Sequence, residues 1–228
     1  LPVMIIPDWE PENTWVLEPG DMLYIPPQVG HNGVSESDDC MTYSVGFRAP
    51  SHAEVLRSFT DFVGEKLTSE SRYSDPGIAT QTNPGEISAD ALTQIRGIFN
   101  QYLNDESQVA QWLGEYVTDP KYPDIDQTPE DTITLEQLQN ALTDGDLLLN
   151  RNEGSRFSYY SLGENKVLLF ADGESFECDG ESSQLAQVLC QTPHLVINQG
   201  DWSEQALTLL VSLFNQPKLA NTAISLQQ

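Results

Sequence analysis

Positive charge is scarce in this chain. Ten lysines and arginines stand against 35 aspartates and glutamates, giving a formal charge of −25 at pH 7. Such a balance repels a phosphate backbone and an anionic membrane surface and attracts cationic partners. The same acids could serve solubility alone, because net charge speaks to association and not to fold. Cysteine is nearly as rare: Cys40, Cys178 and Cys190 lie far apart, without the close pairs of a zinc site, so a reduced, cytoplasmic setting is expected. No apolar run approaches the roughly 20 residues that cross a bilayer, and no basic stretch leads into an apolar one at the start. These absences predict a soluble protein with no membrane partner. Histidine is the scarcest chemical resource, with three in 228 residues and none before His31.

What is present divides the chain by periodicity. Residues 1 to 50 read as β structure, with apolar or alternating runs at Trp15–Leu17, Met22–Ile25 and Met41–Phe47 separated by Pro-Gly, Pro-Pro and Gly breaks. Helical spacing then takes over in three segments: Val55, Leu56, Phe59, Phe62, Val63 and Leu67; Leu92, Ile95, Phe99 and Tyr102; Val109, Trp112, Leu113, Tyr116 and Val117. The stretch DPKYPDIDQTPED, Asp119 to Asp131, is rich in proline and acid and reads as a linker. Beyond it, TLEQLQNAL opens with a capping box, Thr134 and Gln137. Strands follow near Leu147–Asn150, Phe157–Ser161, Val167–Phe170 and Ser175–Cys178, then helices around Ser183–Cys190 and Ser203–Phe214. The class is α+β. The distal unit has the make-up of a winged helix, but between Thr134 and Pro217 its only cations are Arg151, Arg156 and Lys166 against a dozen acids, which argues against DNA binding.

The residues that carry chemistry sit in LEPGDMLYIPPQVGHNG, Leu17 to Gly33. A strand, a Pro26-Pro27 stop and then Gly30-His31 would hold an imidazole on stiff backbone. The alternation from Met41 to Phe47 sends Met41, Tyr43, Val45 and Phe47 to one face and Thr42, Ser44 and Gly46 to the other. A row of small hydroxyls beside a rigid histidine suits a carboxylate seated next to a metal ion.

LEPGDMLYIPPQVGHNG followed by YSVGFRAP resembles the distal half of the JmjC-type cupin barrel of the bacterial ribosomal oxygenases, which are iron- and 2-oxoglutarate-dependent hydroxylases of an arginine in a large-subunit ribosomal protein. SRYSDPG (Ser71 to Gly77) and QWLGEYV (Gln111 to Val117) are similar to stretches of that family's helical dimerisation region, and residues 134 to 217 resemble its winged-helix-like domain. The resemblance implies five parts: the C-terminal part of a JmjC/cupin barrel, a partial double-stranded β-helix, at 1–50; a helical dimerisation region at 51–118; a linker at 119–133; a winged-helix-like domain at 134–217; and a loose tail at 218–228. It implies His31 as a metal ligand for Fe(II), Thr42 and Ser44 on the strand lining the 2-oxoglutarate pocket, a basic ribosomal protein as substrate, and a homodimer. Two departures accompany it: the family often has asparagine where Thr42 stands, and PKLANTAISLQQ replaces an aromatic ending.

A facial triad needs two histidines and a carboxylate, and the family's H-x-D motif has no counterpart upstream of His31. His52 and Glu54 have the right spacing but follow His31 at a helix start, where side chains two apart diverge. His194 reads as structural, and Arg48 is the candidate cation for the far carboxylate of 2-oxoglutarate. The chain therefore reads as the C-terminal portion of such an oxygenase, inactive by itself. Two other readings remain: a non-catalytic dimerisation and binding module, hinted at by Phe59, Phe62, Phe99, Tyr102, Trp112 and Tyr116 on three short helices, and a metal-independent cupin-like binder.

Overall fold

The computed structural model describes residues 8–47, 49–74, 76–77, 79–121, 132–198, 200 and 202–221, and the chain separates into two compact units, Leu1–Ala49 and Pro50–Gln228. The described residues of the first unit are turns and unpaired backbone. The runs at Trp15–Leu17, Met22–Ile25 and Met41–Phe47, expected to be strands, carry no sheet ladder. Their apolar side chains are correspondingly bare, with Met22 94% and Phe47 91% exposed. A strand satisfies its N–H and C=O groups only through a neighbour, and period-two alternation becomes a buried face only when something covers it. Neither condition is met among the described residues here.

The second unit opens with α1 (His52–Lys66), α2 (Ala89–Leu103) and α3 (Glu106–Thr118). Each starts at a residue whose side-chain oxygen accepts a backbone N–H of the first turn: Ser51, Ser88 and Asp105. Phe59, Val63 and Trp112 form a small core between α1 and α3, with Phe59 edge-on to Trp112 at 5.4 Å. The Trp112 indole N–H donates to Ser58 Oγ at 3.0 Å, so the one polar atom of the ring is satisfied. Of the six large aromatics that suggested a partner surface, Phe59 and Trp112 are therefore core, while Phe62, Tyr102 and Tyr116 pack against it. Only Phe99 stands largely bare, at 59% exposed.

Next come α4 (Leu135–Asp144), β1 (Leu147–Arg151), β2 (Phe157–Gly163), β3 (Lys166–Ala171), β4 (Glu174–Asp179), α5 (Gly180–Gln191), β5 (His194–Ile197), α6 (Glu204–Asn215) and β6 (Leu219–Asn221). The capping box at Thr134 and Gln137 is present in both directions, as the sequence predicts. Two three-stranded antiparallel sheets result, β5-β1-β6 and the meander β2-β3-β4. Helices α4, α5 and α6 close over them around Leu138, Leu149, Leu169, Leu185, Ile197, Leu210 and Leu213, which are all buried.

Two features correct the sequence reading. Helix α3, grouped with the helices that precede it, lies on the meander: Gln111 Nε2 donates to Ser175 Oγ at 3.2 Å, Tyr160 to Glu106 Oε1 at 2.8 Å, and the Gly173 N–H to Thr118 Oγ1 at 3.1 Å. Periodicity identifies an amphipathic helix and does not say what the stripe meets. The second concerns 218–228, expected to be a loose tail. Leu219–Asn221 instead pair with β1, and the Lys218 side chain is buried at 4% exposure with Nζ 3.2 Å from Glu174 Oε1. Residues 222–228 lie outside the described residues, as does the centre of the expected linker, 122–131.

Candidate functional site

Two turns position His31. In the first, Pro19 and Gly20 occupy the corners: the Asp21 N–H donates to Glu18 O at 3.0 Å, the Glu18 N–H donates back to Asp21 Oδ2 at 2.9 Å, and Gly20 sits at φ +99°. A type II turn requires a positive φ at its third residue, which proline before glycine supplies without strain. The second turn is Pro26-Pro27-Gln28-Val29, closed from Val29 N–H to Pro26 O at 3.4 Å with Gln28 at φ +67°. A non-glycine residue in that region costs on the order of 1 kcal/mol, and the two prolines that precede it limit the alternatives.

The His31 ring is exposed, with Nδ1 3.2 Å from the carbonyl oxygen of Val29. With the proton on Nδ1 that nitrogen donates to the carbonyl, and Nε2 keeps its lone pair for a ligand. Metal-binding histidines commonly fix their tautomer through such a backbone contact. Thr42 and Ser44 are exposed as well, and so are Met41, Tyr43, Val45 and Phe47 on the alternate positions. The imidazole was expected to face a polar cavity inside a barrel. Instead it faces solvent, and the described residues of its unit form no enclosure around it. A barrel interior exists only once the sheet closes on itself, and among the described residues of this unit no strand pairing is present to close it.

Among the described residues no group of three or more His, Cys, Asp or Glu side chains is placed to hold a metal ion. One imidazole cannot meet the coordination of a facial-triad iron, so the donors present here do not by themselves fit the group. His52 and Glu54 do not pair as ligands. His52 begins α1, and Glu54 closes the capping box, with Oε2 accepting the Ser51 N–H at 2.7 Å. His194 ties two strands together, Nδ1 lying 2.7 Å from Asn150 Oδ1 at the cross-strand register Asn150↔His194. Arg48 lies outside the described residues. Sequence reasoning missed Lys218, because the three residues that follow it, Leu219–Asn221, are too short a run to signal that β6 forms.

The thiols divide by burial. Cys40 is exposed. Cys178 and Cys190 sit in the distal core, where burial pushes both thiols up to about 11. Neither is a nucleophile at neutral pH.

Comparison with known proteins brings the two halves of the chain together. Residues 101–219 match the family of the ROXA-like winged helix, and residues 1–55 match the JmjC domain. The start at 101 places α3 with the sheet it packs on. The chain is similar to the ribosomal protein uL16 3-hydroxylase of Escherichia coli (strain K12), 32% identical over 133 residues, which is 58% of this chain and 35% of that protein. It is also similar to a probable ribosomal oxygenase of Haemophilus influenzae, 49% identical over 41 residues, 18% of this chain and 10% of that protein. Among solved structures, the fold resembles Escherichia coli YcfD, a ribosomal oxygenase, in complex with cobalt and succinic acid: TM-score 0.63, 24% identity, covering 78% of this chain and 48% of that one. YcfD in complex with cobalt and 2-oxoglutarate matches at TM-score 0.62 and 22% identity, with the same coverage. The chain thus spans about a third of the curated Escherichia coli relative and about half of the solved chains.

Proposed function

Because this chain belongs to the ROXA-like winged helix family, we propose that it is part of an Fe(II)- and 2-oxoglutarate-dependent oxygenase that hydroxylates a ribosomal protein. One observation carries the reading: a JmjC match at 1–55 and a winged-helix match at 101–219 follow one another on a single chain, and 133 residues of that chain are 32% identical to a relative named as a ribosomal protein hydroxylase. Within it, His31 would supply one iron ligand, and Thr42 and Ser44 would lie on the strand lining the 2-oxoglutarate pocket. The two further ligands come from polypeptide of the relatives' length that these 228 residues do not span. The 228 residues by themselves are then inactive. The substrate residue is an arginine of a large-subunit protein, and the setting is the cytoplasm.

Charge supports the choice of substrate. A surface at −25 draws a basic ribosomal-protein loop by long-range attraction that fades as salt rises. The same charge opposes direct DNA binding by the winged-helix unit. The test is succinate release by the full-length protein supplied with iron, 2-oxoglutarate, oxygen and ribosomal proteins. His31→Ala should abolish it; undiminished turnover in the variant would remove His31 from the iron site.

A second reading rests on α2. None of its residues is buried, and Leu92, Ile95, Ile98, Phe99 and Leu103 are all exposed. A helix with an uncovered apolar stripe meets a partner, and a second copy of this chain is the partner this reading assigns. Light scattering of the purified chain tests it: a mass of two chains is expected, and a monomer at high concentration contradicts it.

A further inference from the structure

The helices of the second unit treat their two ends differently. Each of α1 to α6 carries an acid in its first turn: Glu54, Asp90, Glu106, Glu136, Glu181 and Glu204. There the positive end of the helix dipole meets a negative charge, which stabilises the helix. At the other end α1 has Lys66, and the last turns of α2 to α6 have no basic residue. The carbonyl groups at these ends carry partial negative charge, and no cation of the same turn offsets it. In α4 the mismatch is sharpest, because Asp144 closes the helix, Asp146 follows two residues later, and both are exposed.

The whole chain repeats the imbalance. If every lysine and arginine paired with an acid, 25 carboxylates would still have no cation of the chain. Self-repulsion grows with the square of the net charge and is stronger in the compact chain than in the expanded one. Salt also screens the favourable acids at the helix starts, but those are six local contacts set against a repulsion shared by the whole surplus.

We infer that the fold is an ionic-strength-sensitive device: its stability rises with salt, and the acidic end of α4 is a place where the gain is large. The ions act as a diffuse atmosphere and not as bound ligands, since among the described residues no three ligating groups could share one ion. Salt then has two opposite effects on this protein. It weakens the attraction of a basic partner proposed above, and it strengthens the fold that offers that attraction. The working range is the span of ionic strength in which both suffice. The inference rests on charge and helix geometry alone, so it and the oxygenase reading fail separately.

The test is urea unfolding of the full chain at pH 7, followed by circular dichroism, from about 0.01 M to about 1 M potassium chloride, where the screening length falls from about 30 Å to about 3 Å. The midpoint should climb by about 1 M urea or more, with most of the rise complete by roughly 0.5 M salt. A gain from solute exclusion would instead keep growing in proportion to salt. Two variants of one helix then separate the local contribution from the overall charge. Asp144→Asn should raise the low-salt midpoint by about 0.5 M urea and flatten its salt dependence. Glu136→Gln removes the same charge from the favourable end of α4 and should raise it by less than half as much. A midpoint that is flat or falls with salt, a rise that stays linear to the highest salt, a gain that vanishes on tenfold dilution of the protein, or equal effects of the two variants would each overturn the inference.

Discussion

Gly114 is the residue whose environment tolerates least. A Cβ built there would lie 2.2 Å from the Phe170 ring, and that ring is almost fully buried on β3. The absence of a side chain is what lets α3 rest on the meander, since packed interiors have no slack to absorb a methyl group. Gly114→Ala should therefore lower stability by about 2–3 kcal/mol, seen as a reduced urea midpoint, and adding Phe170→Leu should recover much of the loss. Equal stability of the single variant and wild type would mean that α3 does not sit where it is described. Lys218 makes a different case, because its ammonium is buried while its partner Glu174 is half-exposed. Glu174→Gln strands the buried charge and should cost about 1 kcal/mol; Lys218→Met frees only an exposed carboxylate and should cost less. The thiols supply a pH dependence. Burial raises Cys178 and Cys190 to about 11, so the folded state holds their protons more tightly than the unfolded chain does. The stability this confers is complete below the unfolded thiol range and is lost as pH climbs toward 11. At pH 8 a thiol reagent should label one cysteine, Cys40, in the native chain and three in denaturant.

At the scale of elements, periodicity and capping made the helices readable. Ser51-x-x-Glu54 and Thr134-x-x-Gln137 announce the starts of α1 and α4, and the helices among the described residues fall where apolar residues recur every three or four positions. Strands β1 to β4 were readable for a related reason, since Asn165 and the Asp172-Gly173 pair mark hairpin turns between apolar runs. Strands β5 and β6 were not. They are four and three residues long, too short to show a period, and they exist because β1 offers both of its edges. The opposite failure befell residues 15–47, where the alternation is clear but nothing among the described residues pairs with it; local pattern proposes a strand and a neighbour has to complete it. The uncovered stripe of α2 leads to a prediction of its own. Leu92→Asp with Phe99→Asp should leave the helical circular dichroism signal unchanged, because neither side chain is buried in the chain, while reducing the mass seen in light scattering to that of one chain and lowering the melting temperature by no more than loss of the dimer entails. A dimer that survives both charges would place its interface elsewhere.

At the scale of the whole molecule, the candidate site shows most plainly what a sequence can and cannot convey. The stiff approach to His31 was legible, since Pro19-Gly20 and Pro26-Pro27 dictate turns that the structure contains. The surroundings of the ring were not, because a metal centre is assembled from distant segments, and among the described residues no metal-holding group of ligating side chains includes His31. His31 faces solvent, and the reading of it as a ligand rests on the JmjC match and on the Val29 contact that leaves Nε2 available. The most direct measurement is therefore the mass of the large-subunit ribosomal proteins from cells carrying the wild-type full-length gene or its His31→Ala allele. One protein should carry an additional oxygen atom on an arginine in the first strain and lack it in the second. Identical masses in the two strains would contradict the account.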